Sequence, residues 1–357
     1  MKKLILTVFL VGIFFVAGFA YYIWNSFVTD SPSNDATEVV YEVGQGRTFT
    51  GVAVDLESKG LIKDAKLFRL YARFVGKGSK LKVGEYALRR NMTPQQVLNT
   101  LSSGVSIGRT LTISEGLNIF EISELYQAKG FGTKDEFLNV VLDKTFIKSL
   151  LGEEHDSLEG YLYPETYSLT KYSTTKTLVT QMVQNFQRIY NEVIPNSEIK
   201  GLTKHQIVTL ASIVEKETGA AEERPIISSV FHNRLAKGMM LQTDPTILYG
   251  IAQENRKVIL KIGREDIRRP TRYNTYVIKG LPPGPIANPG REALLATVKP
   301  DSTDFLFFVS ENDGTHVFST NYEAHNAAVK KFQVNPNARK GKSWRDLNKK
   351  KPEAQTP

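Results

Sequence analysis

The sequence predicts an α+β fold behind a single N-terminal transmembrane helix. Helical periodicity and short strand-like runs both occur, with no regular strand–helix–strand repeat, so segregated elements are expected rather than a parallel doubly wound sheet. A length of 357 residues suggests about two domains beyond any targeting segment, and 41% hydrophobic residues suffices for real cores. Leu4 to Val28 carries no charge and follows Lys2 and Lys3.

About twenty apolar residues cross a bilayer as a helix, which places the span at Leu4 to Ile23. Tyr21, Tyr22 and Trp24 stand where an interfacial aromatic belt belongs. The two lysines favour a cytoplasmic N-terminus, so the chain from Asp30 onward is expected outside the cytoplasm as a single-pass membrane protein. A cleaved signal peptide competes, since Gly18 and Ala20 are small residues at the cleavage spacing. Apolarity continuing past Ala20 favours retention. The expected organisation is an anchor over residues 1–28, a polar linker over 29–38, a small subdomain over 39–105, a larger domain over 106–330 and a basic tail over 331–357.

In the small subdomain, Val39 to Val43 reads as a strand, followed by helices around Thr50–Ser58 and Asp64–Val75. Leu81 to Leu88 alternates like a strand. Thr93 then caps a helix with Pro94 at its first position, running through Leu101. This element order resembles LysM-like carbohydrate-binding modules, although a structural spacer fits the pattern nearly as well. In the larger domain, Arg109 to Ser114 reads as a strand, and helices are expected over Ile119–Lys129, from Thr133 through Leu142, and over Thr175–Val193, Lys204–Thr218, Pro225–Ala236 and Arg291–Thr297. Phe305 to Val309 is dense enough in apolar residues to suggest a central strand.

Composition excludes several chemistries. The chain has no cysteine, so disulfides, zinc fingers and thiol catalysis are ruled out. The five histidines show no ligand spacing, so no metal and no cofactor is expected. A net charge of +9 favours anionic partners such as lipid headgroups, wall polymers or nucleic acid.

The most informative stretch is the apolar helix from Ile207 to Glu217, which carries Glu215. Burial disfavours the charged form of a carboxylate, and a carboxylic acid kept neutral can protonate a leaving oxygen. At about 100° per residue, Glu215 and Glu217 both fall within the apolar arc, so periodicity does not choose between them. Four further segments combine aromatic rings, amides, hydroxyls and rigid prolines in a manner that suits a sugar: Leu158–Tyr167, Met240–Thr246, Tyr273–Tyr276 and Leu281–Pro289.

Taken in order, Ser212–Glu217, Ser229–Leu235, Leu241–Thr246, Tyr273–Tyr276 and Gly280–Ile286, with Leu158–Pro164 and the His316–His325 region, resemble the endolytic murein transglycosylase family, also called MltG- or YceG-like. The likeness covers roughly Thr110 to Val329. Arg272 departs from it, standing before Tyr273 where proline is expected. The resemblance implies that Glu215 is the catalytic acid of an enzyme acting on peptidoglycan glycan strands. It further implies cleavage of the MurNAc–GlcNAc β-1,4 bond that leaves a 1,6-anhydro-MurNAc end. The expected substrate-binding residues are Glu159, Tyr161, Gln242, Asp244, Tyr273, Asn274, Thr275 and Tyr276. Expected partners are the glycan strands and the lipid bilayer, with wall-synthesis proteins as further candidates and no nucleic acid. Two readings compete: a lysozyme-type hydrolase using Asp244 as second carboxylate, and a wall-binding scaffold without turnover.

Overall fold

The computed structural model describes residues 17–18, 21, 24–25, 27–44, 46–104, 107, 109–170, 173–194, 201–217 and 220–335. Of the expected anchor over residues 1–28, only positions 17, 18, 21, 24, 25, 27 and 28 lie among the described residues. Among the described residues no helix is long and apolar enough to cross a membrane. Most of the basic tail also lies outside them. The chain divides into two compact units, residues 1–110 with 168–173, and residues 111–167 with 174–357.

In the first unit, β1 (Glu38–Val43) pairs antiparallel with β2 (Gly84–Arg89), from Glu38 opposite Arg89 to Val43 opposite Gly84. Between the strands lie α1 (Phe49–Ser58) and α2 (Ala65–Phe74); α3 (Pro94–Ser103) follows. Each helix begins at a side chain that accepts an otherwise unpaired backbone N–H: Thr48 from Gly51, Asp64 from Leu67, and Thr93 from Gln96. Thr93 and Gln96 cap each other reciprocally, with Pro94 pre-set in helical φ. Tyr41, Tyr86 and Leu88 of the sheet meet Val52, Leu56, Phe68, Val97 and Leu101 in one core, which Phe27 joins from the segment before the linker.

The second unit is mainly helical: α4 (Ile119–Ala128), α5 (Lys134–Val141), α6 (Lys144–Leu151), α7 (Thr175–Val193), α8 (Lys204–Glu217), α9 (Arg224–Ala236), α10 (Asp244–Asn255), α11 (Arg291–Val298) and α12 (Tyr322–Val329). Two short sheets complete the chain: β3 (Arg109–Thr112) with β4 (Thr166–Leu169), and the antiparallel hairpin of β5 (Phe307–Ser310) and β6 (His316–Ser319). Apolar density at Phe305–Val309 predicted a central strand, but among the described residues β5 pairs with β6 alone. Its rings pack on helices instead, Phe308 edge-on to Phe231 of α9 and Phe307 stacked on His325 of α12.

Helix α8 runs through the middle of this unit, buried at every residue from Ile207 to Val214. Ile207, Val208 and Ala211 share a core with Phe186, Ile189, Tyr190 and Val193 of α7 and Leu294 of α11. Full burial stabilises by roughly 1.5–3 kcal/mol per large apolar side chain, which holds the helix against the cost of carrying acids at its end. Gly160, at φ +84°, lets the 158–162 turn press on this helix: a Cβ there would stand 2.5 Å from Pro285 and 2.9 Å from Val208. Gly160→Ala is therefore expected to destabilise the protein by at least about 2 kcal/mol, from left-handed strain and overpacking together. Thermal or urea unfolding measures it, and an unchanged midpoint would contradict this packing.

Candidate active site

Glu215 sits on the last turn of α8, its side chain 5% exposed. Both carboxylate oxygens accept hydrogen bonds, Oε1 from Arg224 Nη2 at 3.4 Å and Oε2 from the Gly290 N–H at 3.0 Å. The surroundings are thus not the apolar ones the helix pattern suggested; a guanidinium and a backbone donor stand inside them. Arg224 opens α9, and the preceding Glu223 is clamped by His316 of β6. The His316 N–H donates to Glu223 Oε1 at 2.9 Å, and ring Nδ1 lies 2.6 Å from Oε2. Lys216, pointing outward, donates from Nζ to the Gly116 carbonyl at 2.9 Å.

Three loops close around this end of α8, and the buried amide of Asn288 joins them. Its Nδ2 donates to the Leu117 carbonyl at 2.9 Å and to Glu159 Oε1 at 3.0 Å, while Oδ1 accepts the Leu162 N–H at 2.8 Å. Its own backbone N–H donates to the Leu117 carbonyl, and its carbonyl accepts from Gly116. The Ile119 N–H at the start of α4 donates to Glu159 Oε2 at 2.9 Å. Glu115 ends in this nest. A Cβ on Gly290 would overlap the Glu115 carboxylate, so the two glutamates flank one glycine, Glu115 against its Cα and Glu215 on its N–H. Burial and then the nearby Glu215 charge push the Glu115 carboxyl above the usual range, opposed by Arg224.

Glu217 faces the other side of the helix. Its Oε1 accepts from the Thr243 hydroxyl. The Thr243 N–H donates to Thr275 Oγ1 at 3.0 Å, and Thr275 and Thr246 share a hydroxyl hydrogen bond of 2.9 Å. Tyr276 Oη donates to Asp244 Oδ1 at 2.8 Å. Burial, aided by the neighbouring Asp244 charge, raises the Glu217 carboxyl to about 7. Gln242 is exposed and held at φ +50°, a conformation rarely adopted outside glycine.

The sequence-predicted residues therefore divide. Gln242, Asp244 and half-buried Tyr276 reach the surface together on the Glu217 side, and none hydrogen-bonds to Glu215. Glu159, Tyr161, Tyr273, Asn274 and Thr275 are buried. Tyr161 Oη lies 2.9 Å from His205 Nδ1, the Tyr273 ring packs edge-on to Tyr249, and Asn274 Nδ2 donates to three carbonyls, those of Asp266, Ile267 and Arg269. All five are held in a buried polar network, a setting that the composition suiting a sugar also suits. Sequence reasoning missed Glu115, Arg224 and Gly290 as neighbours of Glu215. The pairing of Glu115 with Gly116 at a strand end and Arg224 before Pro225 at a helix start were the only local signals. Among the described residues no group of three His, Asp or Glu side chains is placed to hold a metal ion.

Glu159 is the most perturbed acid of this region: burial lifts its carboxyl from an ordinary 4.5 to about 8 despite the hydrogen bond from Ile119. An acid with a raised native pKa keeps its proton after the unfolded chain has released it. Stability is then greatest below about 4.5 and falls as pH rises to about 8, and Glu217 adds to the slope up to about 7. Urea midpoints measured from about pH 5 to about pH 8 should decline, and Glu159→Gln should flatten the decline while costing ~1–3 kcal/mol for a mismatched donor. A slope identical in both proteins would remove Glu159 as its source.

Comparison with known proteins places the chain. A family model described as the YceG-like family matches residues 41–331. A protein of Bacillus subtilis (strain 168) named endolytic murein transglycosylase is 30% identical over 332 residues, spanning 89% of this chain and 91% of its own. The Streptococcus pneumoniae (serotype 2, strain D39) protein of the same name is 30% identical over 342 residues, spanning 86% of this chain and 61% of its own. The crystal structure of a YceG-like protein from Listeria monocytogenes shares 30% identity and a TM-score of 0.55, over 82% of this chain and 99% of that one. The match begins in the first sheet, runs through the glutamate-bearing helix and extends past the closing hairpin, and the chain belongs to the YceG-like family.

Proposed function

We propose that the protein is a membrane-anchored lytic transglycosylase that cuts peptidoglycan glycan strands endolytically, with Glu215 as its acid and base. The observation that carries this reading is the Glu215 carboxyl itself. It is nearly buried at the end of a buried helix and oriented at both oxygens, in a chain whose relatives bear the name endolytic murein transglycosylase. In the reaction, Glu215 gives its proton to the glycosidic oxygen between MurNAc and GlcNAc as the C1–O bond breaks. The C6 hydroxyl oxygen of the same MurNAc then bonds to C1, and its proton passes to Glu215, which ends as it began. The product is a 1,6-anhydro-MurNAc end, formed without water. Gln242, Asp244 and Tyr276 are read as glycan contacts. The first unit is read as a LysM-like wall-binding module, its strand–helix–helix–strand order being the support. Leu4–Ile23 is read as the membrane span and wall-synthesis proteins as neighbours.

Glu115 favours one second reading. Two carboxylates flanking Gly290 could divide the work of a hydrolase, one as acid and the other activating water or attacking C1. Asp244 fits that role less well, because its carboxylate is held by Tyr276 on the Glu217 side.

Mass spectrometry of digested glycan strands separates these readings. Anhydro ends are expected from the wild type; reducing ends would establish hydrolysis instead. Glu215→Gln should lower cleavage by ~10²–10⁴-fold or more, the usual contribution of general acid–base catalysis. Glu217→Gln keeps a carbonyl oxygen for the Thr243 hydroxyl and should be far milder. Equal loss in both, or a greater loss in Glu217→Gln, would overturn the choice of Glu215 over Glu217.

A further inference from the structure

Helix α2 carries its apolar residues on two sides. Ala65, Phe68, Tyr71 and Ala72 face the core of the first unit, as an amphipathic helix should. On the opposite side, Leu70 is 55% exposed and Phe74 is 77% exposed, one helical turn apart. Trp24 lies beside them, its ring 5.6 Å from Tyr71 and 5.5 Å from Phe74, and Tyr21 is 70% exposed. Around this apolar strip stand Lys66, Arg69, Arg73 and Lys77. Lys77 reaches Asn99 at 2.6 Å, and none of the other three pairs with a carboxylate among the described residues. A cleft of about 430 Å³ adjoins the strip, lined by Arg69, Arg73 and Ser79 with Gly76 and Gly78, a donor-rich lining suited to a phosphate group.

We propose that this face of α2 docks on the anionic phospholipid surface of the membrane, with Leu70 and Phe74 entering the headgroup layer and Arg69 and Arg73 gripping a lipid phosphate. Exposed aliphatic and aromatic residues rimmed by unpaired cations are the physical pattern of a helix lying in the interface. The occupant follows from charge and from chain continuity. Trp24 comes directly after Leu4–Ile23, so the patch lies beside the point where the chain leaves the bilayer; the inference rests on that anchor reading. A second copy of the chain would bring its own four cations against these four. A glycan would find few hydrogen-bond partners on Leu70 and Phe74.

The absence of cysteine makes single labels unique. Full-length protein carrying Leu70→Cys with an environment-sensitive fluorophore is reconstituted into phosphatidylcholine vesicles with or without phosphatidylglycerol; Gln95→Cys on α3 serves as control. The label at 70 should be quenched by a lipid-borne nitroxide, more strongly with phosphatidylglycerol, while the label at 95 responds to aqueous iodide. Adding Arg69→Gln and Arg73→Gln should weaken docking by roughly 30-fold, two interfacial charges' worth. Equal quenching at 70 and 95 overturns the proposal. So does a blue shift at 70 that grows with protein concentration without vesicles, which would mean a second copy. Carbonate extraction reads the anchor separately. If the chain washes off, the anchor reading falls, and the same label is read after sedimentation with phosphatidylglycerol vesicles: salt-sensitive lipid quenching upholds the docking face, and its absence rejects it.

Discussion

The candidate site depends on one buried amide. Asn288 supplies donors to Leu117 and Glu159 and an acceptor to Leu162, so a single side chain joins the 116–118, 159–162 and 288–290 loops. None of these loops has a ladder of its own at that point, and buried backbone groups left unpaired there would each cost ~1–3 kcal/mol. The amide is suited to the task because it offers a donor and an acceptor at once. Gly290, two residues on, holds Glu215 through its N–H, so the position of this carboxylate inherits the precision of the Asn288 network.

The same convergence concentrates acids. Glu115, Glu159, Glu215 and Glu217 all stand on or near the last turn of α8 and the loops against it, and three of the four are pushed upward by burial. They have different partners. Glu159 is enclosed by protein donors, the Ile119 N–H and the Asn288 amide. Glu217 is tied to the Thr243 loop. Only Glu215 has a guanidinium at hydrogen-bond distance, with a second carboxylate across a glycine from it. Glu115 therefore matters electrostatically: burial first, and then the adjacent Glu215 charge, favour its neutral form.

How much of this was legible beforehand follows from the range of the contacts. Local signals were read well: Thr93 and Pro94 open α3, and the period of Thr175–Val193 delimits α7. The apolar run of α8 announced a buried helix ending in glutamates. Periodicity left the two glutamates equal; the neighbours that distinguish the surroundings of Glu215, namely Arg224, Gly290 and Glu115, include partners too distant in the chain for periodicity to report. Asn274 and Thr275 were not legible for a related reason: amides and hydroxyls among tyrosines suit a sugar or a buried loop equally, and their burial is invisible in a single sequence. Apolar density at Phe305–Val309 gave the strand but not its neighbours, because helices cover β5 as another sheet would.

The clamp between Glu223 and His316 extends the candidate site beyond the residues that touch Glu215. Arg224 follows Glu223 directly, and Glu223 is fixed by both the backbone and the ring of a residue from β6. A hairpin nearly one hundred residues downstream of Glu215 thus steadies its guanidinium partner without itself approaching the carboxylate. A shortened chain that stopped after α11 would keep every acid and every loop of the site, yet leave the arginine without its brace. The C-terminal hairpin thus contributes to the candidate site by mechanics rather than by contact, through the Glu223 that His316 holds.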